Sequence, residues 1–295
     1  MLHYHTQKVN FLTNFKCIIL TFHANTKAMK KIFICLAFAF IFSSCILCFK
    51  SHETQNTSAF SQKPKMCIVI DDFGGYEQAG VDTILSIADP ITCAVLPNVD
   101  NTQNNLEALS KTGHEIILHM PMESHVYLPE NWYGPVFIKN SDSPEIACKK
   151  LDECLKTFPN IKGFNIHIGS GVSQNKSLMT AIYTYAKEHN LYFLDSRTIE
   201  TKACEDACKN TQSVYLGRDV FLEPNKNRSY HGVQARLFEG ANVAKEKGYS
   251  IVIGHVGAEG GENTAKAIKD SLPKIKEQGI QIVPLSEIFE NLKTN

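Results

Sequence analysis

The stretch "KMCIVIDDFGG", residues 65 to 75, joins an apolar run to two adjacent carboxylates and two glycines. The run from Met66 to Ile70 is too short for a helix and rich in β-branched residues, so it predicts a strand buried on both faces. Asp71 and Asp72 follow at its carboxyl end, where α/β sheets and barrels hold their functional groups. Asp and Gly also form ordinary turns, so the ends of the other strands decide whether the pair has a function.

Downstream, short apolar runs alternate with longer amphipathic ones. The predicted strands are 66–70, 91–96, 115–119, 161–166, 191–194, 213–216, 250–254 and 280–283, and the predicted helices include 102–112, 144–157, 176–189, 229–247 and 262–277. Eight strands alternating with helices predict an α/β fold with one mostly parallel sheet and outer helices, most easily closed as a (β/α) barrel. An open doubly wound sheet is the alternative.

The charge of the chain is balanced overall but uneven along its length. The chain has 295 residues with 30 basic and 30 acidic side chains, and residues 1–45 contain five lysines and no acid. The remainder therefore has 25 basic and 30 acidic residues, a net charge of −5. No basic stripe with interleaved aromatic residues predicts a nucleic-acid partner, and no glycine-rich phosphate loop predicts a nucleotide cofactor.

The N-terminal region has the layout of a bacterial export signal. "MKKIFICLAFAFIFSSC", from Met29, has two lysines, an apolar stretch and small residues before Cys45. "FSSC" resembles a lipoprotein processing box with Phe42 where Leu is usual, and an uncleaved anchor is the other option. We expect export to the periplasm or anchoring in the inner membrane, with membrane contact only through this segment. The predicted organisation is an extension that need not be native (1–28), a signal peptide or anchor (29–49), a polar linker (50–64) and a folded domain (65–295).

Polar side chains recur where the predicted strands end. They are Asp71 and Asp72 after the first strand, His119 and Glu123 at the third, Asn165 and His167 at the fourth, Asp195 and Arg197 at the fifth, and His255 at the seventh. Because the carboxyl ends of parallel strands meet at one mouth, we expect these groups to lie together.

This set suits metal-assisted hydrolysis. Neutral imidazoles with one carboxylate bind Zn²⁺ and leave a position open for water. A second carboxylate can take a proton from that water, and an imidazole opposite can protonate the leaving group. Asp71 and Asp72 are therefore expected to have different roles: one binds the metal, and the other accepts the proton.

Seven motifs, in order along residues 65 to 290, resemble one known family. They are "IVIDDFG", "GHEIILHMPME", "NIHIGS", "FLDSRT", "RDVFLE", "IGHV" and "IVPLSEI". The set resembles the divergent polysaccharide deacetylases, the YibQ-like branch of the NodB-type deacetylase superfamily. The resemblance implies a NodB-like distorted (β/α) barrel in an exported, metal-dependent hydrolase that removes acetyl groups from N-acetylated sugars of a polysaccharide or peptidoglycan-type glycan.

The resemblance also implies roles for individual residues. Asp71 matches the catalytic base of the "DD" motif, and Asp72 matches its metal ligand. His119 matches the first histidine of the metal motif, and His255 matches the histidine that acts as general acid.

Two departures from the NodB-type pattern change the expected site. Glu123 stands where a second metal-binding histidine is usual, so His167 is the preferred third ligand, with Glu123 as its substitute or as an outer partner. The Arg-Pro-Tyr motif is missing, and Asn165 stands near the place of its arginine.

The other candidates rest on weaker signals. Asp195 is counted among the catalytic residues, and Arg197 beside it is expected to form an ion pair that orients the pocket. Trp132 and Tyr133 in "ENWYGP" either form a platform on which a sugar stacks or cover the barrel as loop hydrophobes.

Two other functions fit the same residues. One is a glycan-binding or envelope module that keeps the pocket without catalysis. The other is a glycoside hydrolase with Asp71 and Asp195 as its carboxylate pair.

Overall fold

The computed structural model describes residues 63–158 and 160–294. The predictions for the extension and the export signal, and nearly all of the predicted linker, therefore lie outside the described residues. Within the described ranges, none of the helices combines the length and the apolar character needed to cross a membrane.

The centre of the fold is a single sheet in which every paired strand is parallel. Its strands are β1 Lys65–Phe73, β2 Thr92–Val95, β3 Glu115–Met122, β4 Gly163–Ile168, β5 Tyr192–Asp195, β6 Leu216–Gly217, β7 Val220–Phe221, β8 Tyr249–His255 and β9 Gln281–Ile282. The spatial order is β6-β5-β4-β3-β2-β1-β8-β7, with β9 beside β1. The order follows the chain and places β8 next to β1, as in a barrel, whereas a doubly wound sheet reverses direction.

The barrel is incomplete at one point. β6 and β7 are neighbours in sequence and form the two ends of the sheet order, but no ladder pairing joins them among the described residues. The predicted parallel α/β barrel is thus confirmed in its distorted form, as a curled half-barrel sheet.

Helices cover the outside of the sheet. They are α1 Val81–Leu85, α2 Thr102–Ser110, α3 Pro144–Leu155, α4 Lys176–Glu188, α5 Ala203–Thr211, α6 Tyr230–Lys247, α7 Gly261–Glu277 and α8 Leu285–Lys293. Three of the predicted helices begin at side-chain caps: Ser143 accepts from the Ile146 amide, Asn175 from the Leu178 amide and Ser229 from the Gly232 amide. Such caps satisfy amide groups that have no partner within the helix.

Four elements were missing from the sequence prediction, namely β7, α1, α5 and α8. β7 has only two residues and α1 only five, which is too short for a visible period. α5 buries only small side chains, those of Ala203, Cys204, Ala207 and Cys208, so its apolar face is weak.

The core has an outer layer under the helices and an inner layer within the curled sheet. β1 contributes to both, because Ile68 and Ile70 pack in the outer layer while Cys67 and Val69 pack in the inner one. All four side chains are fully buried, as the sequence predicted. Leu285 and Ile288 of α8 join the inner layer, so α8 contributes to the core beneath the mouth.

Close packing at the start of β4 leads to a first prediction. Gly163 lies opposite Tyr192 of β5, and an added Cβ would stand 2.2 Å from the ring of that buried tyrosine. Gly163→Ala should lower the free energy of unfolding by about 1–3 kcal/mol through overpacking. Gly113→Ala is the matched control, since a Cβ there meets nothing within 4 Å. Urea denaturation checks both, and equal midpoints for the two variants would contradict this packing.

Candidate metal centre

A β-bulge explains how two adjacent carboxylates reach the same site. In a regular strand, neighbouring side chains point to opposite faces. The pairing of β1 with β2 shifts register between Ile70 and Phe73, and Asp72 has a φ of 69°. As a result both acids face His119, whose Nε2 lies 3.9 Å from Asp71 Oδ2 and 3.3 Å from Asp72 Oδ1. The strand end therefore contains a local distortion of the kind that re-aims side chains at functional sites.

Strand register brings the two histidines together. His119 of β3 pairs directly with Asn165 of β4, and Pro121 pairs with His167. Residues two apart share a face of a strand, so His167 and Asn165 both lie on the side that His119 occupies. β4 ends immediately beyond, where Ile168 has a φ of 61°.

Three ligand atoms form a small triangle. His119 Nε2 lies 3.3 Å from Asp72 Oδ1, His167 Nδ1 lies 3.2 Å from the same oxygen, and the two nitrogens are 3.1 Å apart. Among the described residues, this is the group of histidine, cysteine and acidic side chains that could hold a metal ion.

Hydrogen bonds on the far side of each ring fix the tautomer of both histidines. Asn165 Nδ2 donates to Asp71 Oδ1 (2.7 Å), so its Oδ1 faces His119 Nδ1 at 2.7 Å and can only accept. His167 Nε2 lies 3.1 Å from the carbonyl oxygen of Trp132, which also can only accept. His119 Nδ1 and His167 Nε2 must therefore carry hydrogens, and in the neutral rings the lone pairs are on the two nitrogens of the triangle.

This donor set fits a divalent transition metal. Asp72 Oδ1 is buried and receives no hydrogen bond from any described residue, which is costly unless a cation compensates it. Two imidazoles and a carboxylate are ligands that Zn²⁺ accepts, and bonds of about 2.0–2.2 Å at tetrahedral angles separate such ligand atoms by about 3.3–3.5 Å. The observed separations of 3.1–3.3 Å need little adjustment.

The ionisation of the triad favours a bound cation. Burial alone would raise the pKa of Asp72, but its contacts with His119 and His167 hold that pKa well below its usual value. Burial would lower the pKa of His119, yet Asp71 and Asp72 raise it. A carboxylate that stays ionised attracts either a proton on the imidazole or a metal ion in its place.

Asp71 is held differently from its neighbour. Its side chain is buried and Oδ1 accepts from Asn165, while the contact of Oδ2 with a described residue is the 3.9 Å approach to His119 Nε2. Burial raises the pKa of Asp71 above its usual value, although His119 and His255 oppose the shift. A carboxylate with one free oxygen and a raised pKa is suited to accept a proton.

His255 ends β8 and lies opposite Asp71 in the β1–β8 register. Its Nδ1 is 3.2 Å from Glu223 Oε2, and Nε2, which has no hydrogen bond to a described residue, is the nitrogen that can act on a substrate. Glu223 is buried and also accepts from the His255 amide and from Thr264 Oγ1. Burial alone would lower the pKa of His255, but its hydrogen bond to Glu223 and the negative charges of Asp72, Glu223 and Asp71 together raise it to about 10. Sequence analysis did not single out Glu223, although it ends the "RDVFLE" motif.

Glu123 is not part of the metal cluster. Its carboxylate accepts from the backbone amide of Asn140 at 2.6 Å on the protein surface, and it is absent from the triad. Of the two options for a third ligand, the geometry therefore favours His167.

The predicted ion pair between Asp195 and Arg197 is not formed. Asp195 accepts from the Arg197 amide and from Tyr215 Oη, so both of its oxygens are engaged in the loop. The Arg197 guanidinium instead approaches Glu205 at 4.0 Å and donates to the Arg218 carbonyl. The catalytic role predicted for Asp195 gains no support from these contacts.

The two aromatic residues of "ENWYGP" differ in exposure. Tyr133 is 3 % exposed and stacks on Phe137 with ring centres 4.5 Å apart, so it covers the barrel. Trp132 is 58 % exposed and lines a groove that Asp72 and His167 also line. The exposure of Trp132 is compatible with the platform alternative, and the burial of Tyr133 is compatible with the loop-hydrophobe alternative.

Comparisons with known proteins agree with the motifs. The family model described as divergent polysaccharide deacetylase matches residues 68–289. The uncharacterized protein YibQ of Escherichia coli K12 is 29 % identical over 195 residues, which cover 65 % of this chain and 58 % of YibQ. An uncharacterized protein of Haemophilus influenzae is 27 % identical over 243 residues, covering 80 % of this chain and 81 % of that protein. The chain thus matches less than two thirds of the length of YibQ.

A solved structure shares the fold. The crystal structure of an uncharacterized protein from Agrobacterium tumefaciens C58 superposes with a TM-score of 0.70 at 19 % identity, covering 78 % of this chain and 91 % of that one. At this level of identity the likeness concerns the fold alone.

Proposed function

Because the chain belongs to the divergent polysaccharide deacetylase family, we propose that it is an exported, metal-dependent hydrolase that removes acetyl groups from N-acetylated sugars in a polysaccharide or cell-wall glycan. The predicted N-terminal signal supports placement in the periplasm or at the inner membrane. The family supports a glycan substrate, and the residues of the site support a hydrolytic reaction.

One observation carries the proposal. Three lone pairs, from Asp72, His119 and His167, point at one another across 3.1–3.3 Å, and each histidine is held in the required tautomer by a separate hydrogen bond. Such preorganisation of ligands by outer partners is typical of metal sites.

Zn²⁺ or a similar divalent ion held by this triad would supply Lewis acidity, which makes water acidic near neutral pH and polarises a carbonyl group. The free Oδ2 of Asp71 takes the proton from the attacking water, while Asn165 holds the other oxygen in place. His255 Nε2 delivers a proton to the amide nitrogen, since an amine leaves poorly unless protonated. Glu223 orients the His255 ring through Nδ1.

The rival functions receive less support. The glycoside hydrolase needs Asp195 as a free carboxylate, and both of its oxygens are engaged. A binding module without catalysis would keep the groove, and only turnover separates it from the proposed enzyme.

Metal content and acetate release test the proposal together. We expect about one metal ion per chain and acetate release from oligomers of N-acetylglucosamine or from peptidoglycan fragments. His119→Ala should weaken metal binding at least about 100-fold and abolish release, because it removes a ligand. His231→Ala, on the surface of α6, is the matched control and should change neither. Equal metal content in wild type and His119→Ala would contradict the proposed metal site. A metal-loaded protein that releases no acetate from these glycans would favour the binding module.

A further inference from the structure

We infer that the groove beside the metal triad selects a glycan chain without negative charge, so that the substrate of the proposed deacetylase is a neutral or amine-bearing polymer of N-acetylated hexosamine. This inference rests on the proposed function and narrows its substrate class. The groove has a volume of about 660 Å³, which lies within the range of ligand sites.

The groove is continuous with the reacting groups. Asp72 and His167 line it directly. Its rim is formed by the loop after β1, which contains Tyr76, and by the segment around Trp132. The carbonyl of Trp132 accepts from His167 Nε2, so the rim is tied to a metal ligand. A sugar in the groove would therefore lie next to the triad.

Two large aromatic side chains at this rim are exposed to solvent. Tyr76 is 85 % exposed and Trp132 is 58 % exposed. The backbone below Tyr76 is fixed, because the Gly75 carbonyl accepts from both Gln78 Nε2 and Asn101 Nδ2. Exposed aromatic rings on a fixed backbone offer apolar faces on which sugar rings can pack, and they attract a protonated amine through their π-systems.

All charges on the groove wall are negative when its histidine is neutral. Glu77 and Asp100 line the groove together with Asp72, and no lysine or arginine is among the described lining residues. Neither Glu77 nor Asp100 forms an ion pair within the described part of the chain. A divalent ion at the triad would offset the charge of Asp72 and leave a net positive charge there, but Glu77 and Asp100 keep the outer wall of the groove negative.

This charge pattern discriminates between glycans. A uronate or phosphate on the chain would meet like charge along the groove, whereas a neutral chain would not. Each deacetylation also converts a neutral acetamide into an ammonium group, which the two carboxylates would attract. The groove therefore favours a chain that already carries some free amines over its fully acetylated form.

Equilibrium binding separates this inference from the proposed activity. The full metal-loaded chain is titrated by calorimetry with three probes of equal length: an N-acetylglucosamine oligomer, its partly deacetylated form, and an oligomer alternating N-acetylglucosamine with glucuronate. We expect the partly deacetylated oligomer to bind tightest and the anionic one at least about tenfold more weakly than the neutral one at low salt. The Glu77→Gln, Asp100→Asn double variant should reduce this difference to about twofold.

A second double variant controls for net charge. Glu188→Gln with Glu246→Gln removes the same two charges from exposed positions at the carboxyl ends of α4 and α6, and should keep the wild-type preference. The inference would be overturned if wild type bound the anionic oligomer as tightly as the neutral one or more tightly. It would also be overturned if the Glu77→Gln, Asp100→Asn variant kept the wild-type preference for the neutral oligomer. Acetate release is measured in the same samples: selective binding without release would reject the deacetylase and leave the charge selection standing.

Discussion

Asp71→Asn should abolish acetate release while the protein keeps its metal. The substitution preserves the shape of the side chain, and an amide oxygen can still accept from Asn165 Nδ2 as Asp71 Oδ1 does. It removes the group that accepts a proton, and the loss of a general base costs about 10²–10⁴ in rate. Because Asp71 Oδ2 lies 3.9 Å from His119 Nε2 and outside the ligand triangle, metal content should stay near wild type.

Asp72→Asn is the matched comparison on the neighbouring residue. It replaces the ionised ligand whose Oδ1 lies within 3.3 Å of both histidine nitrogens, so it should lose both the metal and the turnover. Elemental analysis and acetate release on the two variants decide the question. If Asp71→Asn empties the site and Asp72→Asn does not, the two carboxylates have the opposite roles.

The parallel fold and the convergence of the strand ends could be predicted from sequence because both follow from local pattern. Side chains of the buried run from Met66 to Ile70 alternate between the two core layers, so the apolar run alone predicted that both faces of this strand are buried. A regular strand, however, would have sent Asp71 and Asp72 to opposite faces. The bulge that places both carboxylates in the same site depends on the pairing of β1 with β2 and on the positive φ of Asp72. Neither feature can be predicted from the sequence of the strand alone.

Contacts between residues distant in sequence were the second feature that could not be predicted. His167 could be preferred over Glu123 as a ligand from its motif, but the choice needed the contact of Glu123 with the Asn140 amide. Glu223 stood within a quoted motif, and its role became clear only when β7 and β8 placed it beside His255. The ion pair predicted for Asp195 and Arg197 failed because adjacency along a chain does not fix side-chain direction, and Tyr215 occupies the carboxylate instead.

His255→Ala should retain metal and glycan binding and lose about 10²–10⁴ in kcat, because the proton it supplies is needed only in the transition state. His255 is outside the ligand triad. Loss of its ring could also loosen β8, so thermal unfolding is measured on the same sample, and His255→Gln serves as a second variant of closer size. A folded, metal-loaded His255→Ala protein with wild-type kcat would exclude His255 as the acid.

Glu223→Gln tests whether His255 acts as the acid or only packs β8. Only the acid role predicts a change in the pH dependence of kcat. The hydrogen bond to Glu223, with the charges of Asp72, Glu223 and Asp71, raises the pKa of His255 to about 10 against the effect of burial, so the wild-type acid stays protonated well above neutral pH. An acid works only while it carries its proton, and the alkaline limb of the kcat profile should therefore follow this pKa. Glutamine keeps the size of the side chain and can still accept from Thr264 Oγ1, but it removes the charge, so the pKa of His255 falls and the alkaline limb moves to lower pH. If His255 only packed β8, the substitution would change stability without moving the profile, because no protonation at that ring would limit the rate.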